Sequence, residues 1–207
     1  NGAVKLFEDF KGFIDDVFKW LEEAFGRKKI SQSDLLETWD SVAGRGRRLG
    51  QKLFKNDLIA IENFLKKLDC ELELYPAKGS FEIEGFFVGN REKAIFHEKA
   101  QAVFITDGKK TKLILREKAT TYEFFHEYMH LKQAKSISLQ KYYKLGGRNT
   151  AGEIVKEEYV FNKVIENKDL FTRDELKDVL DYLNGQTYRK NGIDPINFNF
   201  DIEKIPI

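Results

Sequence analysis

Between residues 3 and 25 apolar side chains recur at Phe7, Phe10, Ile14, Val17, Leu21 and Phe25, in steps of three and four, while Glu8, Asp15, Lys19 and Glu22 take the other face. That spacing predicts an amphipathic helix. A second helical stretch starts near Ser33-Asp34, covers Leu35, Leu36, Trp39 and Val42, and stops at the Gly/Arg-rich segment 44–50. A third runs from Asn56, a good N-cap, through Leu58, Ile61, Leu65 and Leu68. The period then changes. Cys70, Leu72 and Leu74 alternate with Glu71 and Glu73 up to Pro76, and Phe81 and Ile83 alternate with Glu82 and Glu84. Alternation with period two marks strands. Residues 101–106 and 111–116 flank Asp107-Gly108, a turn signal, and read as a hairpin. Helical spacing returns at 120–135, 151–166 and 173–184, the last opened by Thr172 and Glu175 in capping-box spacing. The glycine-containing stretch 146–152 reads as a mobile loop between helices. Strands precede a run of helices, so the fold expected is α+β: a helical region over 1–68 and a second unit over 69–207.

Composition narrows the classes of function. Thirty-five Lys and Arg against 34 Asp and Glu leave a formal net charge of +1, unlike a protein built to coat nucleic acid. The basic runs at 26–29 and 44–48 read as solvated loop segments. Cys70 is the single cysteine, so no internal disulfide can form, and a reducing compartment suits the chain. No apolar run approaches the ~20 residues of a membrane span, and no signal-peptide layout opens the chain. The sequence begins with Asn1 and its one methionine is Met129, which leads us to expect a fragment of a longer protein.

Two of the three histidines fall in EFFHEYMHLKQ, where His126-Glu127-Tyr128-Met129-His130 fits H-E-x-x-H. On a helix, residues four apart share a face one turn apart, so both imidazoles can reach one ion. The flanks favour a helix: Thr120 or Thr121 can cap it, Tyr122, Phe125 and Met129 form an apolar stripe, and no proline or glycine interrupts 117–145. Glu127 projects about 100° round the helix from His126, too far to ligate alongside it. It is placed instead to take a proton from a water acidified by the metal and to pass it to a leaving amine.

Two imidazoles do not complete a zinc set, so a third ligand must come from elsewhere. His97 lies upstream among the strands and reads as an ordinary surface or core histidine. Downstream, GEIVKEEYVFNKVIEN carries Ile154, Phe161 and Ile165 on the buried face of a helix, and Glu157 projects into that face. Glu158 is the alternative, slightly less well placed.

With a downstream glutamate on a second helix, His126, Glu127 and His130 give the chain a resemblance to the gluzincin group of zinc metallopeptidases. More narrowly, EFFHEYMHLKQ followed by EEYVFNKVIEN resembles the zincin-like metallopeptidase toxin domains at the C-termini of bacterial polymorphic toxins, over roughly residues 70–185. The resemblance places the third ligand at Glu157. Gln133 and Ser136 stand where a metzincin motif would continue, which removes that reading. The resemblance implies a small, mainly antiparallel sheet packed on the H-E-x-x-H helix, with a second ligand-bearing helix. It also implies one Zn2+ per chain and a protein or peptide substrate held along an edge strand, either 101–106 or 111–116. The oxyanion stabiliser would come from among Tyr142, Tyr143 and Arg148. Delivery from a larger secreted protein into the cytoplasm of a target cell, and a cognate immunity protein, are implied as well. Two other classes compete with a zinc endopeptidase. A binding module that keeps the metal has no need of Glu127 as a base, and a nuclease has no basic groove to support it.

Overall fold

The computed structural model describes residues 53, 55–88, 92–148, 150–168 and 171–198. The helices expected over 3–25 and from Ser33 lie outside these residues. The first described element is α1, Lys55–Lys67, followed by β1 (Cys70–Tyr75), β2 (Phe81–Val88), β3 (Glu92–Phe96), β4 (Ala102–Thr106) and β5 (Thr111–Arg116). Four helices complete the order: α2 (Thr121–Ile137), α3 (Leu139–Lys144), α4 (Ala151–Glu166) and α5 (Arg173–Tyr182), the last running into a π-helical turn, Leu183–Tyr188. The α+β order holds.

Among the described residues, five strands form two sheets. β1, β5 and β4 make one sheet in that order, and β2 and β3 make a separate antiparallel ribbon. The expected hairpin is present as β4 and β5, with Asp107 Oδ1 accepting from the backbone N–H groups of Lys109 and Lys110 and Gly108 at φ +88°. β1, however, pairs with β5 in parallel, Cys70 opposite Thr111. β5 is therefore the central strand, and 111–116 cannot offer the free edge that sequence left open; only β4 of the two candidates can. All six β5 residues are buried because both faces of the sheet are covered. Leu113 and Leu115 enter the main core, and Ile114 enters a second cluster with Ile83, Phe86, Ala94 and Phe96 of the ribbon.

β3 escaped sequence reading because its alternation is short and interleaved with charges, EKAIF, with only Ala94 and Phe96 buried. Gly85, at φ +76°, breaks the alternation of β2 where the ribbon register shifts. Arg116 anchors the ribbon to the sheet. Its guanidinium, 1% exposed, donates to the carbonyls of Ala100, Pro76, Gly79 and His97 at 2.7–3.0 Å and lies 4.4 Å from the Phe96 ring centroid.

α1 packs on β1, and Ile61 and Leu65, both fully buried, share the main core with Leu113, Leu115, Met129 and Leu131. Cys70 is buried there, whereas Leu74, at the other end of β1, is 44% exposed. α2 lies between the sheet on one side and α3 and α4 on the other. Its sequence stripe is blurred because ten of its 17 residues, from Tyr122 to Ala134, are buried on several faces. Thr120, not Thr121, caps α2: its hydroxyl accepts from Glu123 N–H, and Glu123 Oε2 accepts from Thr120 N–H. The helix expected over 120–135 ends at Ile137, and Ser138, at φ +80°, turns the chain into α3. Thr172 and Glu175 form the expected capping box on α5.

Candidate metal centre

The four-residue spacing on α2 brings the His126 and His130 rings to 5.1 Å between centroids, both 6% exposed and on one side of the helix. α4 supplies the facing group. Glu157 Oε2 lies 3.4 Å from His126 Nε2, and Glu157 Oε1 lies 3.4 Å from His130 Nε2. Ligand atoms of the three residues all fall within 4.8 Å of one another, the one such group of His, Cys, Asp and Glu found among the described residues. Donors about 2.0–2.1 Å from a common ion in a tetrahedral set stand roughly 3.3 Å apart, so the spacing fits a small divalent metal. The polar accounting agrees at the carboxylate. Glu157 Oε2, which faces His126 Nε2, is buried with no hydrogen-bond partner, although buried polar groups are nearly always paired.

The electrostatics of these side chains follow from their crowding. Burial pushes the Glu157 carboxyl up, but the imidazoles of His130 and His126 outweigh it and hold the group far below the usual carboxylate range. For His130, burial opposes protonation, while Glu157 and then Glu127 prevail and raise its pKa. A metal entering the site therefore competes with protonation of His130, which the Glu157 carboxylate favours.

The approach of α4 to α2 depends on the tight connection between α3 and α4. A Cβ on Gly152 would stand 1.7 Å from the Leu145 carbonyl oxygen, so only glycine allows the first turn of α4 to sit there. Thr150 caps α4 by accepting from Glu153 N–H, and its own hydroxyl donates to Gly147 O at 2.7 Å. Gln133 Nε2 then donates to Val155 O, linking α2 and α4 one turn beyond His130.

Other sequence candidates separate clearly. Glu158 turns away from the pocket and accepts from the Tyr188 hydroxyl at 2.6 Å, which, with burial, pushes that phenol up to about 12. His97 is exposed on the far side of the ribbon anchor, where its carbonyl serves Arg116. Tyr143 is 48% exposed and Arg148 is exposed, with neither in contact with the histidines. Tyr142 is 5% exposed, its ring 6.4 Å from His130 and 5.6 Å from Phe104. Burial, and then the charges of Glu157 and Glu127, raise its pKa well above 10, so the phenol stays protonated and able to donate.

Glu127 faces β4, where its Oε2 accepts from the backbone N–H of Phe104 at 2.7 Å. No sequence signal marks that contact, because a backbone amide looks the same at every residue. Lys156 was equally silent. It lies 4.1 Å over the Tyr142 ring and donates to Gly146 O at 2.5 Å, tying the α3–α4 connection to the site. Tyr182 of α5 closes the other side, its ring 5.6 Å from His126.

The family profile described as metallopeptidase toxin 4 matches residues 80–190, more than half of the chain, and the chain belongs to that family. The matched span runs from β2 to the turns after α5 and includes the whole His126–His130–Glu157 group. Neither the curated proteins nor the solved structures contain a significant match to the chain.

Proposed function

We propose that this metallopeptidase toxin domain is a zinc-dependent endopeptidase. His126, His130 and Glu157 hold one Zn2+ per chain and Glu127 acts as the general base. The reading is carried by the convergence of His126, His130 and Glu157 from α2 and α4, with each imidazole Nε2 3.4 Å from a Glu157 oxygen and ligand atoms of all three within 4.8 Å of one another. Two imidazoles and one carboxylate are the donor set of a catalytic zinc site with a further position open. When bound, the ion supplies a Lewis acid that acidifies water and polarises the scissile carbonyl. Glu127 takes the proton of the attacking water as the new C–O bond forms, and returns it to the amine as the C–N bond breaks. Tyr142, buried and protonated, donates to the developing oxyanion. The substrate is an extended stretch of protein laid along the outer edge of β4.

We place this activity in an effector delivered from a larger secreted bacterial protein into the cytoplasm of a target cell, with an immunity protein shielding the producer. Among the described residues no helix is long and apolar enough to cross a membrane. Metal analysis and a peptide-cleavage assay on wild type and Glu127→Gln test the reading together. One zinc per chain in both, with cleavage lost only in the variant, is the expected result. Equal cleavage would make the metal structural, and a cleavage-free wild type that holds zinc would favour a binding module.

A further inference from the structure

The contact between Glu127 and β4 goes beyond a helix-to-sheet tie. In the sheet, Arg116 N–H donates to Gln101 O, and β4 and β5 pair from Ala102–Leu115 to Thr106–Thr111. In an antiparallel ladder alternate residues face the partner strand, so 101, 103 and 105 bond toward β5 while 102, 104 and 106 point off the edge. The Phe104 N–H is thus an edge donor with no ladder role, and it is spent on one oxygen of one carboxylate, at 2.7 Å. The Phe104 side chain is 8% exposed in the core against Tyr142, so the donor is fixed at both ends of its residue.

Resting on the zinc-peptidase reading above, we propose that the Phe104 backbone amide is the positioning group of the base: it holds Glu127 Oε2 and leaves Oε1 to face the reacting water. A carboxylate on a helix has three rotatable bonds, and an amide on a sheet edge removes that freedom without adding a competing charge. The arrangement also withholds the Phe104 N–H from any strand added to β4. Peptide pairing at this point then runs through the Phe104 carbonyl and the Ala102 amide and carbonyl.

Replacing Phe104 by phenyllactate converts the amide to an ester, deleting the N–H while keeping the ring. The expected outcome is a kcat lowered roughly 10–100-fold with KM within about twofold and zinc content unchanged. The same replacement at Val103, whose N–H belongs to the β4–β5 ladder, lowers stability but leaves kcat of the folded enzyme within about twofold. A structural role alone would give the two esters the same profile, and that result overturns the proposal. Independently of activity, Glu127→Ala should speed hydrogen exchange of the Phe104 amide roughly 10-fold or more while Ile105 is unmoved. An unchanged Phe104 exchange rate also overturns it. An inactive Glu127→Gln beside a fully active Phe104 ester removes this inference alone, whereas an active Glu127→Gln removes the parent reading as well.

Discussion

The pocket between α2 and α4 and the anchor of the β2–β3 ribbon both bury ionisable groups, but they treat them in opposite ways. Arg116, under the ribbon, has its guanidinium bonded to four backbone carbonyls and packed between Phe81 and Phe96. In the pocket, Glu157 Oε2 is buried without a hydrogen-bond partner, and the two Glu157 oxygens converge with the Nε2 atoms of His126 and His130. Arg116 comes close to the condition for a well-accommodated buried charge, since four of its five N–H donors reach a carbonyl and its nitrogens all have a partner. The pocket violates that condition where a ligand would complete it. Hydrophobic exposure shows the same division: Phe87, Val88 and Ile95 lie open on the ribbon, at 44–56%, while the helices around the pocket bury nearly every large side chain that faces it.

The largest test of that contrast removes a donor from the pocket. His130→Ala should abolish stoichiometric zinc by elemental analysis and cleavage with it; one tightly held zinc in that variant would show that the convergence is accidental. Glu157→Ala should do the same and Glu158→Ala should not, because Glu158 is already engaged by Tyr188. Next in size, Glu127→Gln should keep zinc and thermal stability while cleavage falls by ~10²–10⁴-fold, the usual contribution of a general base.

At the anchor the effect should appear in stability instead. Arg116→Met leaves four carbonyls without their charged donor, and a loss of roughly 3–5 kcal/mol in urea unfolding is expected from about 1 kcal/mol per bond. Zinc affinity of the folded fraction should be unchanged; if it falls as steeply as stability, the two regions are not separate in kind.

Metal removal sharpens the contrast through pH. In the stripped protein the lowered Glu157 pKa adds stability above its unfolded value of 4.5, lost as pH falls through the folded value. The raised His130 pKa adds stability that is complete below 6.5 and fades as pH rises through the folded value. The pair therefore contributes most between these two limits, and the melting temperature of stripped protein should peak there. Zinc-loaded protein should gain stability with rising pH, as deprotonated imidazoles bind more tightly. Identical pH profiles with and without metal would remove zinc from these residues. The smallest expected effect is on the open ribbon surface, where Phe87→Ser should stay within about 0.5 kcal/mol of wild type.

Much of the fold could be read in advance wherever a local rule decides the outcome. The Thr172–Glu175 capping box, the Asp107-Gly108 hairpin and the bounds of α4 each depend on neighbours in the chain, and each appears as its residues imply. β3 was missed for the converse reason: EKAIF buries only two side chains, too few to set a period. The parallel pairing of β1 with β5 joins segments some 40 residues apart and leaves no trace in period or turn chemistry.

The candidate site divides along the same line. His126 and His130 are four apart on one helix, so their shared face and the offset of Glu127 follow from 3.6 residues per turn, and the sequence alone determined them. The choice of Glu157 over Glu158 was left open by helical spacing, because both lie near the buried face; only the crossing of α4 over α2, set by the Gly152 contact with Leu145, turned one toward the histidines and the other toward Tyr188. Tyr142 separated from Tyr143 and Arg148 in the same way, by packing against Phe104 and His130. The Phe104 amide became visible only once β4 was placed at the sheet edge beside α2, because a backbone N–H acquires a particular role from where the chain has been carried, and not from the side chain attached to it.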